Sequence, residues 1–191
     1  MEGLPPARVP PAAARAAALA DYRWARAHAY LDIRGEGGAL AKMTQGDGWG
    51  YRTALCGEAM EAEGDHYAEF TLVATKDGCD MVGVARPTYD PARGDAEGVF
   101  QTADGWMLAC WSGRHYHGSY IGEAWASGGP LEVAAGETVG LLLSRGRLSV
   151  YRNGCAVGVL CEGLSGSLVW ATDLGSKGDA VRILRKAVPG A

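Results

Sequence analysis

The chain has 191 residues, of which 48% are hydrophobic and 21% charged, the balance of a single globular domain and not of a disordered chain. Its formal net charge of −4 offers no electrostatic footprint for nucleic acid, and no apolar run approaches the ~18 residues of a membrane-spanning helix. Glycine, at 29 residues, is well above its usual ~7% share and is scattered between short apolar runs, the texture of many turns and many strands.

In chain order, Pro5, Pro6, Pro10 and Pro11 make an extended start. Residues 12–30 are rich in Ala and Arg and predict a helix on propensity. Its apolar residues form no single stripe: Leu19, Tyr22 and Ile33 fall on one side, Trp24 and Leu31 on the other. Such a helix docks on the main domain or holds the chain in a larger assembly. The texture changes near residue 36. Tyr51 to Cys56 reads as a strand. His66 to Ala74 alternates, with Ala68, Phe70 and Leu72 on one face and Tyr67, Glu69 and Thr71 on the other. Met81 to Ala85 is short and apolar. Residues 86–104, with Pro87, Pro91, Gly94 and Gly98, read as a long loop, and long loops inside compact domains are often functional. Trp106 to Trp111 alternates again.

Three apolar runs follow: Val139 to Leu143, Arg147 to Tyr151 and Cys155 to Cys161. Asn153-Gly154 between the last two is a strong hairpin signal, because both positions tolerate positive φ. Ser167 to Thr172 and Ala180 to Leu184 complete the set. Ten to twelve short, turn-punctuated strands without βαβ alternation predict an antiparallel β-sandwich.

The candidates for chemistry are weak. His115 and His117 can share a strand face, but no third metal ligand stands at a recognisable spacing. Cys155 and Cys161 alternate with Val157 and Val159, which predicts small buried hydrophobes and no nucleophile. Glu58, Glu61, Glu63 and Asp65 cluster in a Gly-flanked connection and read as a solvated loop before they read as a glycosidase pair. There is no phosphate-binding loop and no nucleophile elbow. Neither a cofactor nor a metal is expected. Cys56, Cys79, Cys110, Cys155 and Cys161 are odd in number and hold no CxxC, which suits free thiols in a reducing compartment, cytoplasm or nucleus.

Several segments, in order, resemble the SPRY domain. Gly64-Asp65-His66-Tyr67-Ala68-Glu69 resembles its Gly-x-His-Tyr-Trp-Glu segment, Val82-Gly83-Val84-Ala85 its apolar-Gly-Val-Ala strand, and Gly105-Trp106 its Trp-bearing strand. Gly136 to Leu143 resembles a Gly-Asp-x-Val-Gly-apolar strand. Gly146 to Gly154 resembles a Gly-x-Leu-x-Phe-x-x-Asn-Gly hairpin, and Gly163 to Leu168 the segment after it. Ala68 and Val150 depart from the usual Trp and Phe.

The resemblance implies a concanavalin-like, all-β sandwich over residues 35–186, after a partly helical extension over 1–34 and before a short tail at 187–191. It also implies a non-enzymatic module that binds a protein or short peptide, with no nucleic acid and no membrane, through loops at one end. No Cys precedes Cys56 and six residues follow Arg185, so any ubiquitin-ligase complex it serves is expected to supply the ligase separately. The implied site takes Asp173, Leu174 and Gly175 from the loop after Thr172, Arg86 and Tyr89 from the loop after Ala85, and Trp111, Arg114 and Tyr116 from the segment near Trp111. A lectin-like carbohydrate binder on the same fold, with Trp111 or Trp125 as platform, is the alternative.

Overall fold

The computed structural model describes residues 21–46, 50–76, 78, 80–93, 97–125 and 131–190. Among the described residues, fourteen strands build two antiparallel sheets: β1 Trp24–Ala27, β2 Leu31–Arg34, β3 Leu40–Met43, β4 Arg52–Cys56, β5 Met60–Glu61, β6 His66–Ala74, β7 Met81–Ala85, β8 Gly105–Ala109, β9 His115–Tyr116, β10 Thr138–Ser144, β11 Arg147–Arg152, β12 Cys155–Cys161, β13 Ser167–Leu174 and β14 Ala180–Arg185. Sheet I runs β1-β4-β13-β7-β8-β9, with β5 added on β13. Sheet II runs β12-β11-β10-β6-β14-β3-β2. The only helical pieces among the described residues are two 3-10 turns, Glu36–Gly38 and Val99–Gln101. The antiparallel β-sandwich read from the sequence is the observed architecture.

Alternation places the core. Ala68, Phe70 and Leu72 of β6 face Trp170, Leu168 and Leu174 of β13 across the sandwich, within one continuous buried cluster. Trp170 stands at its centre, its ring 5.7 Å from that of Phe70 and 6.0 Å from that of Tyr22, both edge-on. The hairpin turn between β11 and β12 has Asn153 at φ 52° and Gly154 at φ 75°, the left-handed pair that the Asn-Gly signal requires.

Two expectations change. Where it lies in the described residues, the N-terminal helix is replaced by β1 and β2; residues 1–20 lie outside them. Tyr22 and Trp24 are both sealed in the core, and a period of two is a strand's period, so burial of two large aromatics overrides Ala and Arg propensity. β1 pairs with β4 and β2 with β3, so the sandwich begins before residue 35. At the other end, the Arg185 guanidinium lies 3.9 Å over the Tyr22 ring and pairs with Glu58. Likewise, Cys155 is exposed, and Val157, Val159 and Cys161 are only half-buried. β12 is the last strand of its sheet, and two register shifts against β11 break its alternation.

Candidate functional site

The outer side of sheet I carries a buried apolar cluster of its own. Leu55 of β4, Met81 and Ala85 of β7, Met107 and Ala109 of β8, and Val169 and Ala171 of β13 point away from the sandwich core, yet all are buried. The chain between β7 and β8 covers them, laying Tyr89, Val99 and Phe100 on the sheet as a third layer.

Asp173 fastens this cover. It lies on β13, fully buried, on the same outer face as Val169 and Ala171. Its Oδ1 accepts hydrogen bonds from Thr53 Oγ1 at 2.5 Å and from the Val99 backbone N–H at 3.3 Å; its Oδ2 accepts one from the Phe100 N–H at 3.1 Å. Burial pushes its pKa up to about 6, and these donors act against that rise. Above that pH the carboxylate is charged, and each charge-assisted bond is stronger than a neutral one. Gly98 leaves the room: a Cβ there would stand 2.6 Å from Asp173 Oδ2. A second clamp comes from Arg26 of β1, which donates to the Pro87 carbonyl at 2.7 Å and the Tyr89 carbonyl at 3.2 Å.

Phe100, so anchored, is the hub of an aromatic cluster. Its ring lies 4.8 Å from Tyr51, 5.5 Å from Tyr116 and 6.3 Å from Tyr120, edge-on in each case. Trp111 follows, 6.1 Å from Tyr116. The cluster surfaces at Tyr120 and Ile121, which are 68% and 75% exposed. The loop that carries them is shaped by Gly122, whose Cβ would meet the Tyr116 ring at 2.5 Å. Arg114 holds it by donating to the Gly122 carbonyl at 2.8 Å, and Tyr120 donates its hydroxyl to Glu97 Oε1 at 3.1 Å. Glu97, Arg114 and Glu123 are exposed around the pair.

The eight residues expected at a site divide. Trp111 and Tyr116 stand half-buried in the aromatic cluster, and Arg114 stands exposed at its rim. Tyr89, 4% exposed, is buried as part of the cover, facing the sheet. Arg86 is half-buried; it donates to the Ser165 carbonyl and lies 5.1 Å from the Trp106 ring, on which His117 stacks at 4.6 Å. Asp173, Leu174 and Gly175 are not loop residues open to a partner. β13 extends through Leu174, and all three are buried, Leu174 in the inter-sheet core. The strand runs two residues further than its sequence pattern because Asp173 is satisfied by donors from elsewhere in the chain. Tyr120 and Ile121 were missed; the available signal was an aromatic–aliphatic pair between Gly118 and Gly122.

The other candidates acquire local partners. Glu61 accepts from Ser167 at 2.5 Å, Asp65 from Ser144 at 2.5 Å, and Glu58 pairs with Arg185. Trp125 is buried, with its indole N–H donated to the Gly113 carbonyl, so it offers no stacking platform. No group of three or more His, Cys, Asp or Glu side chains among the described residues is arranged to hold a metal ion. No helix among them is long and apolar enough to cross a membrane.

No protein-family model matches the sequence, and no curated protein matches it. Solved structures do match its fold. The SPRY domain of human HERC1 superposes with a TM-score of 0.65 at 19% identity, over 86% of this chain and 97% of that one. A human SPRY domain gives 0.66 at 17% identity, over 81% and 94%. The PSpry domain of TRIM65 gives 0.63 at 13% identity, over 86% and 92%. The chain has a SPRY-type fold.

Proposed function

We propose that this SPRY-type sandwich is a non-catalytic recognition module that binds a peptide or protein segment at the exposed end of the Phe100 cluster. One observation carries the reading: Tyr120 and Ile121 are adjacent and largely exposed, and the Tyr120 ring stands edge-on against the buried Phe100 ring. A tyrosine with few rotatable bonds, already packed edge-on against another ring, gives contact area at low entropic cost. Aromatic residues that lie centrally in an interface commonly carry its energy. Tyr116 and Trp111 extend the contact area, while Arg114, Glu97 and Glu123 form a polar rim that sets orientation and on-rate. The partner chemistry that fits is an extended segment presenting an apolar or aromatic anchor flanked by charge. Asp173 and Tyr89 act from beneath, as supports. A recognition element of a ubiquitin-ligase complex is one role such a module would fill.

Selection of a displayed random-peptide library on the full chain tests this. The expected result is an enriched motif whose affinity falls at least tenfold in the Tyr120→Ala, Ile121→Ala variant, with an unchanged melting temperature. Selected peptides that bind the variant as well as the parent chain would overturn the site. A glycan array showing tight, specific binding where the peptide selection enriches nothing would favour the carbohydrate reading instead.

A further inference from the structure

Asn153 is the sole asparagine of the sequence, and it stands directly before Gly154 at the exposed tip of the β11–β12 hairpin. The turn holds both residues in the left-handed region, φ 52° and 75°, which is why this pair is suited to it. The same pair has a chemistry of its own. An asparagine amide is thermolabile, because the backbone nitrogen of the next residue can close a five-membered ring on its side-chain carbonyl carbon. A side chain on that next residue hinders closure, and glycine has none. Gly154 is exposed, and no described atom lies within 4 Å of where its Cβ would stand. Asp104-Gly105 is the opposite setting: Gly105 is buried, its N–H is donated to the Thr102 carbonyl, and a Cβ there would meet the Val99 carbonyl oxygen at 2.5 Å.

Ring closure also requires the backbone at Asn153 to leave its left-handed conformation, so the tip must open. The hairpin permits that. Among the described strands β12 is the last of sheet II and pairs with β11 alone. Its register shifts between Val150 and Tyr151, where Val157 is the extra residue. Beyond the shift two pairs hold the tip, Tyr151 with Ala156 and Arg152 with Cys155. Cys155 and Ala156 are exposed and Tyr151 and Arg152 only half-buried, so opening the tip uncovers no core. Segments of this kind open at a small fraction of the global unfolding free energy.

We propose that Asn153 is a self-modification site, at which the Gly154 nitrogen displaces the side-chain amide as ammonia and the turn becomes an aspartyl or isoaspartyl link. The Gly154 N to Asn153 Cγ bond forms as the Cγ–Nδ2 bond breaks, and the Gly154 amide proton leaves with the ammonia. One water then opens the cyclic imide; no oxidant or reductant takes part. Opening at Cγ gives an aspartate side chain on a normal backbone. Opening at the former main-chain carbonyl routes the chain through Cγ and lengthens it by a methylene. The two products differ in structure. Asp-Gly is itself a favoured two-residue turn, so the aspartyl form keeps the hairpin and sets its new carboxylate next to Arg152, already paired with Glu137 at 3.2 Å. The isoaspartyl form carries one backbone atom too many for that turn and gives up the two tip pairs. The loss stops at the register shift, because Leu148 and Val150 are sealed in the core and hold the rest of β11.

The full chain is incubated at mildly alkaline pH, folded and in parallel unfolded in guanidinium chloride, then digested for peptide mapping by mass spectrometry. The expected result is the amide-to-acid mass change at Asn153 in both samples, with isoaspartate at that position detected by an isoaspartyl methyltransferase. Asn153→Gln, whose ring would be six-membered, slows the change at least tenfold, its fold checked by circular dichroism. In the converted folded chain, backbone amides exchange faster from Tyr151 to Ala156 and as before at Leu148 and Val150, and the melting temperature is unchanged. An Asn153 that stays intact in the folded chain while the unfolded chain converts completely would overturn the site, whether or not Asn153→Gln folds. Conversion of Asn153→Gln at the parent rate would overturn the ring-closure route, and lost protection at Leu148 would overturn the boundary at the register shift.

Discussion

The outer faces of the two sheets are built on opposite plans. On sheet II, Thr71, Arg182 and Leu40 stand in one row across β6, β14 and β3, and none is buried. Thr71 and Thr138 share a hydroxyl hydrogen bond at 2.9 Å, and the exposed polar groups of such a face are open to water. On sheet I the matching positions are Leu, Met, Ala and Val, sealed under the chain between β7 and β8. A polar face is complete by itself. An apolar face must be covered, and a cover made of loop has a rim where side chains are not consumed by packing. Tyr120 and Ile121 stand at that rim, which is why the proposed recognition surface lies on the sheet I side.

The sharpest way to break this comparison is to cut the fastening of the cover. Asp173→Ala leaves buried donors on Thr53 and Phe100 without their acceptor, while the Val99 N–H keeps Thr53 Oγ1 at 3.1 Å, and is expected to cost about 2–4 kcal/mol, read by urea unfolding. Phe100→Ala removes the hub of the cluster and is expected to cost about 3–4 kcal/mol, whereas Arg182→Ala, exposed among the described residues, stays within about 0.5 kcal/mol. Equal costs on the two faces would remove the contrast.

A smaller effect concerns Asp80 at the entrance to β7. It is buried beside Asp179, whose oxygens accept from the Lys76 and Ser176 N–H groups, both at 2.7 Å. Burial first, and the Asp179 carboxyl second, push its pKa up to about 8. The folded chain then holds this proton more tightly than the unfolded chain. The contribution to stability is complete below about pH 4, falls as pH rises and levels off above about pH 8, with a slope of at most ~1.4 kcal/mol per pH unit. Asp80→Asn should flatten that fall and raise the melting temperature at pH 8; melting curves from pH 4 to 9 check it. The smallest expected effect is on stability at the rim: Tyr120→Ala and Ile121→Ala should each shift unfolding by less than about 0.5 kcal/mol, leaving binding as their only large readout.

Most of the sandwich is legible in the sequence because its strands are half-buried and alternate. His66–Ala74, Met81–Ala85 and Cys155–Cys161 occupy the residues the pattern marks, and the Asn153-Gly154 turn is local chemistry. β1 is not legible, because its strand state depends on Trp170 and Phe70, which pack on Tyr22 and Trp24 from far along the chain. Burial on β12 is hidden because alternation does not say which strand ends a sheet. The site is harder still. An aspartate followed by Leu-Gly reads as the start of a loop, and nothing local to Asp173 shows that Thr53, 120 residues earlier, donates to it. Trp111, Arg114 and Tyr116 could be named because they follow a clear strand. Tyr120 and Ile121 lie in a segment whose Gly content gives no period to read.

The contact of Tyr22 with Arg185 has a consequence for architecture. Among the described residues, the first core residue and the last strand meet at one corner, so the path of the sandwich from Tyr22 to Arg185 nearly closes on itself. A short linker can join those ends while the backbone is cut at an exposed turn such as Asn153-Gly154, giving a permuted chain with the same two sheets. By the same geometry the sandwich can sit as a cassette within a surface turn of a host protein, because its two attachment points add almost no span between the host's own flanks.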